Sequence, residues 1–418
     1  MSVVDLAAVL ITLSALLGYV NYRFLKLPST IGLMVTALAA SLLVVAADRA
    51  FPALHLAAEV AGFVGEIDFN RALMEGMLGV LLFAGALHVD LGDLLHRKRA
   101  IGVLATLGVV ISTVAVAGLI YPVFHLLGLE VPFLHCLLFG ALISPTDPIA
   151  VLGILKTAGA SRGLTAKITG ESLFNDGVGV VVFTALVAIA FGGGHGEIGA
   201  GGITLLFLEE VAGGVLLGLA AGYAAYRLIK GVDDYPLEVI ITLALVLGIS
   251  SLATAIHVSG PLAVVVAGLF IGNHGTRFAM SEKTAHHVHT FWTLNDEILN
   301  AVLFLLIGLE VFAVTLSGPH LLAGLLAIPV CLLARFASVG IPVTALRAVG
   351  TEFSHGAVRI MTWAGLKGGV SVALVLSLPP FPHKGVLVAC TYMVVLFSII
   401  VQGLTVARAV HRLTRQAA

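Results

Sequence analysis

The chain has 418 residues, of which 59% are hydrophobic and only 11% charged, with a mean hydropathy of +1.09 and a formal net charge of −1. A water-soluble core cannot hide that much apolar surface, so lipid must solvate most of the side chains. Near-neutral charge leaves no footprint for nucleic acid, and the absence of a Walker-type glycine loop argues against pumping driven by ATP.

Apolar stretches of membrane-crossing character recur along the chain: 4–22, 29–47, 72–90, 100–121, 133–154, 168–191, 203–226, 236–256, 260–274, 295–315, 320–346, 358–378 and 385–407. The first has no basic residues before it and no small-residue cleavage site after it, so it reads as a span rather than a removed signal peptide. Gly260-Pro261 argues for a break between the eighth and ninth stretches. The expectation is an all-α membrane protein of about thirteen transmembrane helices, one domain over 1–418. Its longest soluble stretches are 48–71, 192–202 and 275–294, and no soluble module is expected after the last span. The 47 glycines and 21 phenylalanines suit closely packed membrane helices. Cys136, Cys331 and Cys390 each sit inside apolar runs and read as buried thiols.

Loop charge orients these spans. Of 22 Lys and Arg, 17 fall in odd-numbered loops and the C-terminal tail, counting Arg359 with the loop it borders. Arg49, Arg71 and Lys384 fall in even-numbered loops, and Arg335 and Lys367 lie within spans. The asymmetry places the odd loops and the C-terminus in the cytoplasm and the N-terminus outside.

An ionised group at the bilayer centre costs roughly 2.5–3.5 kcal/mol even on lenient scales. Those that persist therefore need a reason. In the fifth stretch, Ser144-Pro145-Thr146-Asp147-Pro148 has two prolines three apart. They remove amide donors and clash with preceding carbonyls, so the helix should unwind there. Unwinding is tolerated in lipid only where the freed carbonyls line a polar cavity. Those carbonyls, with the Asp147 carboxylate and the Ser144 and Thr146 hydroxyls, are oxygen ligands suited to a hard cation. A proline kink capped by Asp147 is the blander alternative.

The sixth stretch carries Gly170-Glu171-Ser172-Leu173-Phe174-Asn175-Asp176-Gly177. Spacing of four puts Ser172 and Asp176 on one stripe and Glu171 and Asn175 on the next. In the eleventh, Arg335 is a buried guanidinium that needs an acid, with Glu171 the first choice and snorkelling the alternative. In the twelfth, Lys367 within Gly365-Leu366-Lys367-Gly368-Gly369 suggests a second break, where the ammonium would neutralise the negative end of a half-helix or else snorkel. Glu310 reads as an interfacial anchor. The 15 histidines fall mostly in loops, and His286, His287 and His289, clustered at a cytoplasmic turn, read as a solvated loop, with pH sensing the alternative.

Taken together, Ser144-Pro145-Thr146-Asp147-Pro148-Ile149-Ala150-Val151 and Gly170–Gly177 resemble the two core motifs of the monovalent cation:proton antiporters, in particular their NhaP branch, related to animal sodium/proton exchangers. Leu82–Leu87, Phe304–Glu310 and Trp363–Gly369 add supporting matches. The resemblance implies a homodimer whose protomers have inverted repeats: helices 1–6 (about 4–191) and 8–13 (about 236–407), with helix 7 linking and helices 5 and 12 broken and crossing. It implies that Asp176, Asp147, Ser172 and the Thr146 main chain hold the cation, and that Glu171, Asn175 and Arg335 form a polar bridge. An Asn175-Asp176 pair, rather than two aspartates, implies electroneutral exchange. Lys367 departs from the Arg of many relatives, and Ala84 stands where some carry an acid.

The expected activity is therefore secondary antiport of Na+, or of Li+, for H+ across a bacterial inner membrane in contact with lipid. Alternating access would operate with the two ions competing at Asp176, and no cofactor or enzymatic step is expected. A K+/H+ antiporter of the same fold and a passive cation channel are the alternatives. An intramembrane aspartyl protease lacks its Gly-x-Gly-Asp signature here.

Overall fold

The computed structural model describes residues 3–51, 76–147, 161–192, 200–309, 318–354 and 356–415, with Gly62 and Leu155 besides. Among them every regular element is helical. The chain runs through α1 (Val3–Val20), α2 (Ser29–Ala50), α3 (Leu78–Leu87), α4 (Leu91–His96), α5 (Lys98–Leu126), α6 (Phe133–Ile143), α7 (Arg162–Phe191) and α8 (Ala200–Ile229). It continues through α9 (Tyr235–Ala255), α10 (Gly260–Phe270), α11 (Glu282–Leu309), α12 (Gly318–Ala348), α13 (Ala357–Trp363), α14 (Gly369–Ser377), α15 (Lys384–Phe397) and α16 (Gly403–Arg415).

Local chemistry explains several boundaries. Asp90 caps α4 by accepting from the Asp93 amide, and Ser161 caps α7 by accepting from the Leu164 amide. Pro261 opens α10 in its first turn, where its missing N–H is no loss, and the chain between α9 and α10 turns through a left-handed His257. One-turn π segments at Asn21–Leu25, Ile271–Gly275 and Ser398–Gln402 extend α1 and α10 and join α15 to α16.

Among the described residues, nine helical stretches are long and apolar enough to cross a membrane, and α3 and α6 are shorter apolar helices. Large apolar side chains such as Leu107, Leu247, Leu333 and Phe336 face outward, as lipid permits and water would not. Inside, one apolar cluster joins α2, α5, α6, α11, α12, α14 and α15 around Met34, Phe139, Phe304 and Tyr392. A second joins α3, α8, α9 and α10 to the first half of α11 around Phe83, Val264 and Trp292. The α11 helix thus links both clusters, and the indole of Trp292 anchors it by donating to Thr242 Oγ1 at 3.0 Å.

Two stretches differ from the sequence reading. Residues 282–294, read as part of a soluble loop, are the first half of α11, so His286, His287 and His289 lie on a helix. Polar residues lower hydropathy without breaking helical hydrogen bonding, so hydropathy locates lipid exposure rather than helix ends. For the same reason α7 begins at Arg162 and includes Lys167, whose ammonium donates to the Glu352 carbonyl beside the Phe353 ring. The three cysteines are free and buried.

Candidate functional site

Two interruptions in the helices meet at the centre of the site. The α6 helix stops at Ile143, and residues 144–147 are non-helical. Helix α13 stops at Trp363, and α14 starts only at Gly369. The two segments bond to each other: the Asp147 amide donates to the Leu366 carbonyl at 2.8 Å. Lys367 crosses in the opposite sense, its Nζ donating to the carbonyls of Ser144 at 2.9 Å and Pro145 at 3.1 Å. Its ammonium therefore sits on the C-terminal, negative end of α6 and satisfies acceptors that the proline-bearing segment leaves without helical donors. The second interruption is held from behind by the π turn after α15. Ser398 Oγ accepts the Lys367 amide at 2.8 Å, and Gln402 donates to the Trp363 carbonyl at 3.1 Å.

Helix α7 supplies the remaining polar groups. Thr146 Oγ1 and Ser172 Oγ lie 2.8 Å apart, Asn175 Nδ2 donates to Thr146 Oγ1 at 2.8 Å, and the Thr146 amide donates to Asn175 Oδ1 at 3.3 Å. Asn175 is thus engaged with Thr146, away from the ion pair. That pair is bidentate: Arg335 NH1 and NH2 donate to Glu171 Oε1 and Oε2 at 2.6 and 3.0 Å, with side chains 7% and 1% exposed. Fork-to-fork geometry of this kind is open to Arg and not to Lys.

Asp147 and Asp176 line one cavity of about 40 Å³, together with Thr146, Asn300, Gly368 and Ser371. That is room for a single small ion or one or two waters. Asp176 is only 3% exposed. Two glycines are required by close approach. A Cβ on Gly368 would stand 2.6 Å from Asp147 Oδ2, and one on Gly365 would stand 2.5 Å from Arg335 Nε. The glycine cluster lets the second interruption pack directly against both charged side chains.

Asn300 and Ser371 are cavity residues that the sequence reading did not single out. Asn300 Nδ2 donates to Asp296 O and Oδ1 at 2.8 and 3.0 Å, while Asn300 Oδ1 and Ser371 Oγ are buried without a hydrogen-bond partner. The signal was present in Asp296 and Asn300, two polar residues four apart at the head of the tenth apolar stretch. Ala84 faces away from the cavity, into the apolar cluster around Trp292, whereas Gly85 lines it. Pro148, Ile149, Ala150, Val151 and Glu310 lie outside the described residues. Among the described residues no three His, Cys, Asp or Glu side chains form a metal-holding group.

Two interruptions bonded to one another around buried carboxylates, in an all-helical multi-pass membrane protein, form the kind of polar centre on which secondary transporters are built. Residues 10–412 match the family model described as "Sodium/hydrogen exchanger, transmembrane". The chain is 49% identical over 413 residues to the Na(+)/H(+) antiporter NhaP of Pseudomonas aeruginosa, covering 98% of this chain and 96% of that one. It is 36% identical over 348 residues to the Na(+)/H(+) antiporter NhaH of Halobacillus aidingensis, covering 82% and 84%. Among solved structures, the sodium proton antiporter MjNhaP1 from Methanocaldococcus jannaschii has the same fold, with a TM-score of 0.71 at 20% identity over 98% of each chain. The chain belongs to the sodium/hydrogen exchanger family.

Proposed function

We propose that this protein is a secondary antiporter that exchanges Na+, or Li+, for H+ across the bacterial inner membrane. The observation that carries the reading is the small cavity on which Asp147 and Asp176 converge with Thr146, whose hydroxyl meets that of Ser172. Oxygen donors of this kind replace part of the hydration shell of a hard monovalent cation. The relatives named as Na+/H+ antiporters support Na+ over K+.

Antiport needs one site that two ions cannot share. Asp176 accepts either a proton or Na+, with Asp147, Ser172 and Thr146 completing the cation's shell. The occupied site is close to neutral and passes the apolar gate; a bare carboxylate does not, because its burial is costly. Glu171 and Arg335 neutralise each other, and competition of one cation with one proton at Asp176 makes the exchange electroneutral. Lys367 holds the two interruptions together while the helices reorient. The full architecture in this reading has thirteen spans, inverted repeats flanking α8, a homodimeric assembly and a cytoplasmic C-terminus. The concentration of Lys and Arg in odd loops supports that orientation.

The test is proton flux in reconstituted vesicles. Asp176→Asn, which keeps shape but cannot exchange a proton, is expected to abolish Na+-driven proton movement. In the native protein, competition requires the apparent KM for Na+ to rise as pH falls, by up to about tenfold per pH unit where the proton dominates the site. Sustained coupled flux in Asp176→Asn, or a KM independent of pH across the active range, would overturn the assignment.

A further inference from the structure

Away from the polar centre, on the face richest in Lys and Arg, the ends of α5, α7 and α12 enclose a cavity of about 1120 Å³. Among the described residues, five cationic side chains line it, Arg97, Lys98, Arg99, Lys167 and Arg347, against one carboxylate, Glu352. They come from three separate parts of the chain, which hydropathy and loop length do not require to meet. Three are positioned by their surroundings. Arg97 pairs with Asp93 at 3.2 Å, Lys167 donates to the Glu352 carbonyl, and Arg347 donates to the Ser354 carbonyl at 3.2 Å. Lys98 and Arg99 are exposed at the rim.

A second observation points the same way. The α5 helix is 29 residues long and α7 is 30, and both begin at this cavity. No side chain caps the start of α5, and the positive end of its long helix dipole lies at the cavity. An uncapped helix start surrounded by Lys and Arg is chemistry that holds phosphate groups. The volume far exceeds one phosphate ion and suits a larger molecule that carries one or more.

We infer that this cavity is a binding site for a phosphate-bearing anion. The same chemistry would hold the headgroup of an anionic phospholipid from the adjoining leaflet or a soluble phosphate compound. Antiport at Asp176 plays no part in the argument, and the test is a binding measurement that stands whether or not transport is confirmed.

The full-length protein would be titrated with inorganic pyrophosphate by calorimetry. In parallel, it would be examined by native mass spectrometry from phosphatidylcholine nanodiscs with and without phosphatidylglycerol. A Lys98→Ala, Arg99→Ala, Arg347→Ala variant alters only exposed residues, so it should fold. It is expected to weaken binding about tenfold or more through loss of charge-assisted contacts. Arg277→Ala with Arg408→Ala, two exposed cations outside the cavity, should leave binding unchanged. Retention of phosphatidylglycerol alone upholds a lipid-headgroup site, and pyrophosphate binding alone upholds a soluble ligand. No binding of either probe overturns the inference, as does an equal loss in the control variant.

Discussion

Replacing Glu171 by Gln isolates what the buried ion pair contributes. The native carboxylate accepts two hydrogen bonds from Arg335 at 2.6 and 3.0 Å, and both side chains are almost fully enclosed. Arg335 has nowhere else to turn. Its Nε is already buried without a partner, Gly365 closes over it, and the other cation in this part of the protein, Lys367, is committed to the Ser144 and Pro145 carbonyls. A glutamine oxygen can accept one of the two bonds but brings no charge, which leaves an uncompensated guanidinium in a low-dielectric setting. Breaking a buried pair in this way costs about 3–5 kcal/mol. The partner variant Arg335→Met should lose a similar amount. The double variant Glu171→Leu with Arg335→Met should lose less than either single variant, because no charge is stranded. Equilibrium unfolding of detergent-purified protein, followed by circular dichroism, would measure all three. A Glu171→Gln loss below about 1 kcal/mol would place the pair in the class of solvent-screened bridges and refute the reasoning. A double variant as unstable as the worse single one would do the same.

Two further outcomes follow from the crossing of the interruptions. Gly368→Ala sets a methyl group 2.6 Å from Asp147 Oδ2 and must displace that carboxylate. The apparent affinity for Na+ in vesicles should therefore fall about tenfold or more, in line with the cost of moving a positioned ligand, while circular dichroism stays native; unchanged affinity would show that Asp147 is not where the cation binds. Lys367→Met strips two carbonyls of a charged donor, and a loss of about 1.5–3 kcal/mol is expected in the same unfolding assay. A loss near zero would mean that water replaces the ammonium.

Much of this architecture was legible from local chemistry. Hydropathy announced a lipid solvent, the paired prolines around Asp147 announced an interruption, and the glycines flanking Lys367 announced another. Four-residue spacing placed Glu171, Ser172, Asn175 and Asp176 in one sector of α7. The head of α11 escaped notice because His, Thr and Asp lower hydropathy without stopping a helix. The π turn at Ser398–Gln402 carries no composition cue, although it holds the second interruption in place.

Composition, proline and glycine placement and helical periodicity act within a turn or two of the chain. They were enough to determine the membrane class, the weak points of the helices and which side chains share a face. The sequence also named Glu171 as the partner of Arg335, and the two pair in the structure; only the tertiary structure decided the others: Asn175 to Thr146, the Lys367 ammonium to carbonyls more than 220 residues away, and Asn300 at the cavity wall. Which donor meets which acceptor across such separations depends on how whole helices stack and on where a missing Cβ allows them to touch.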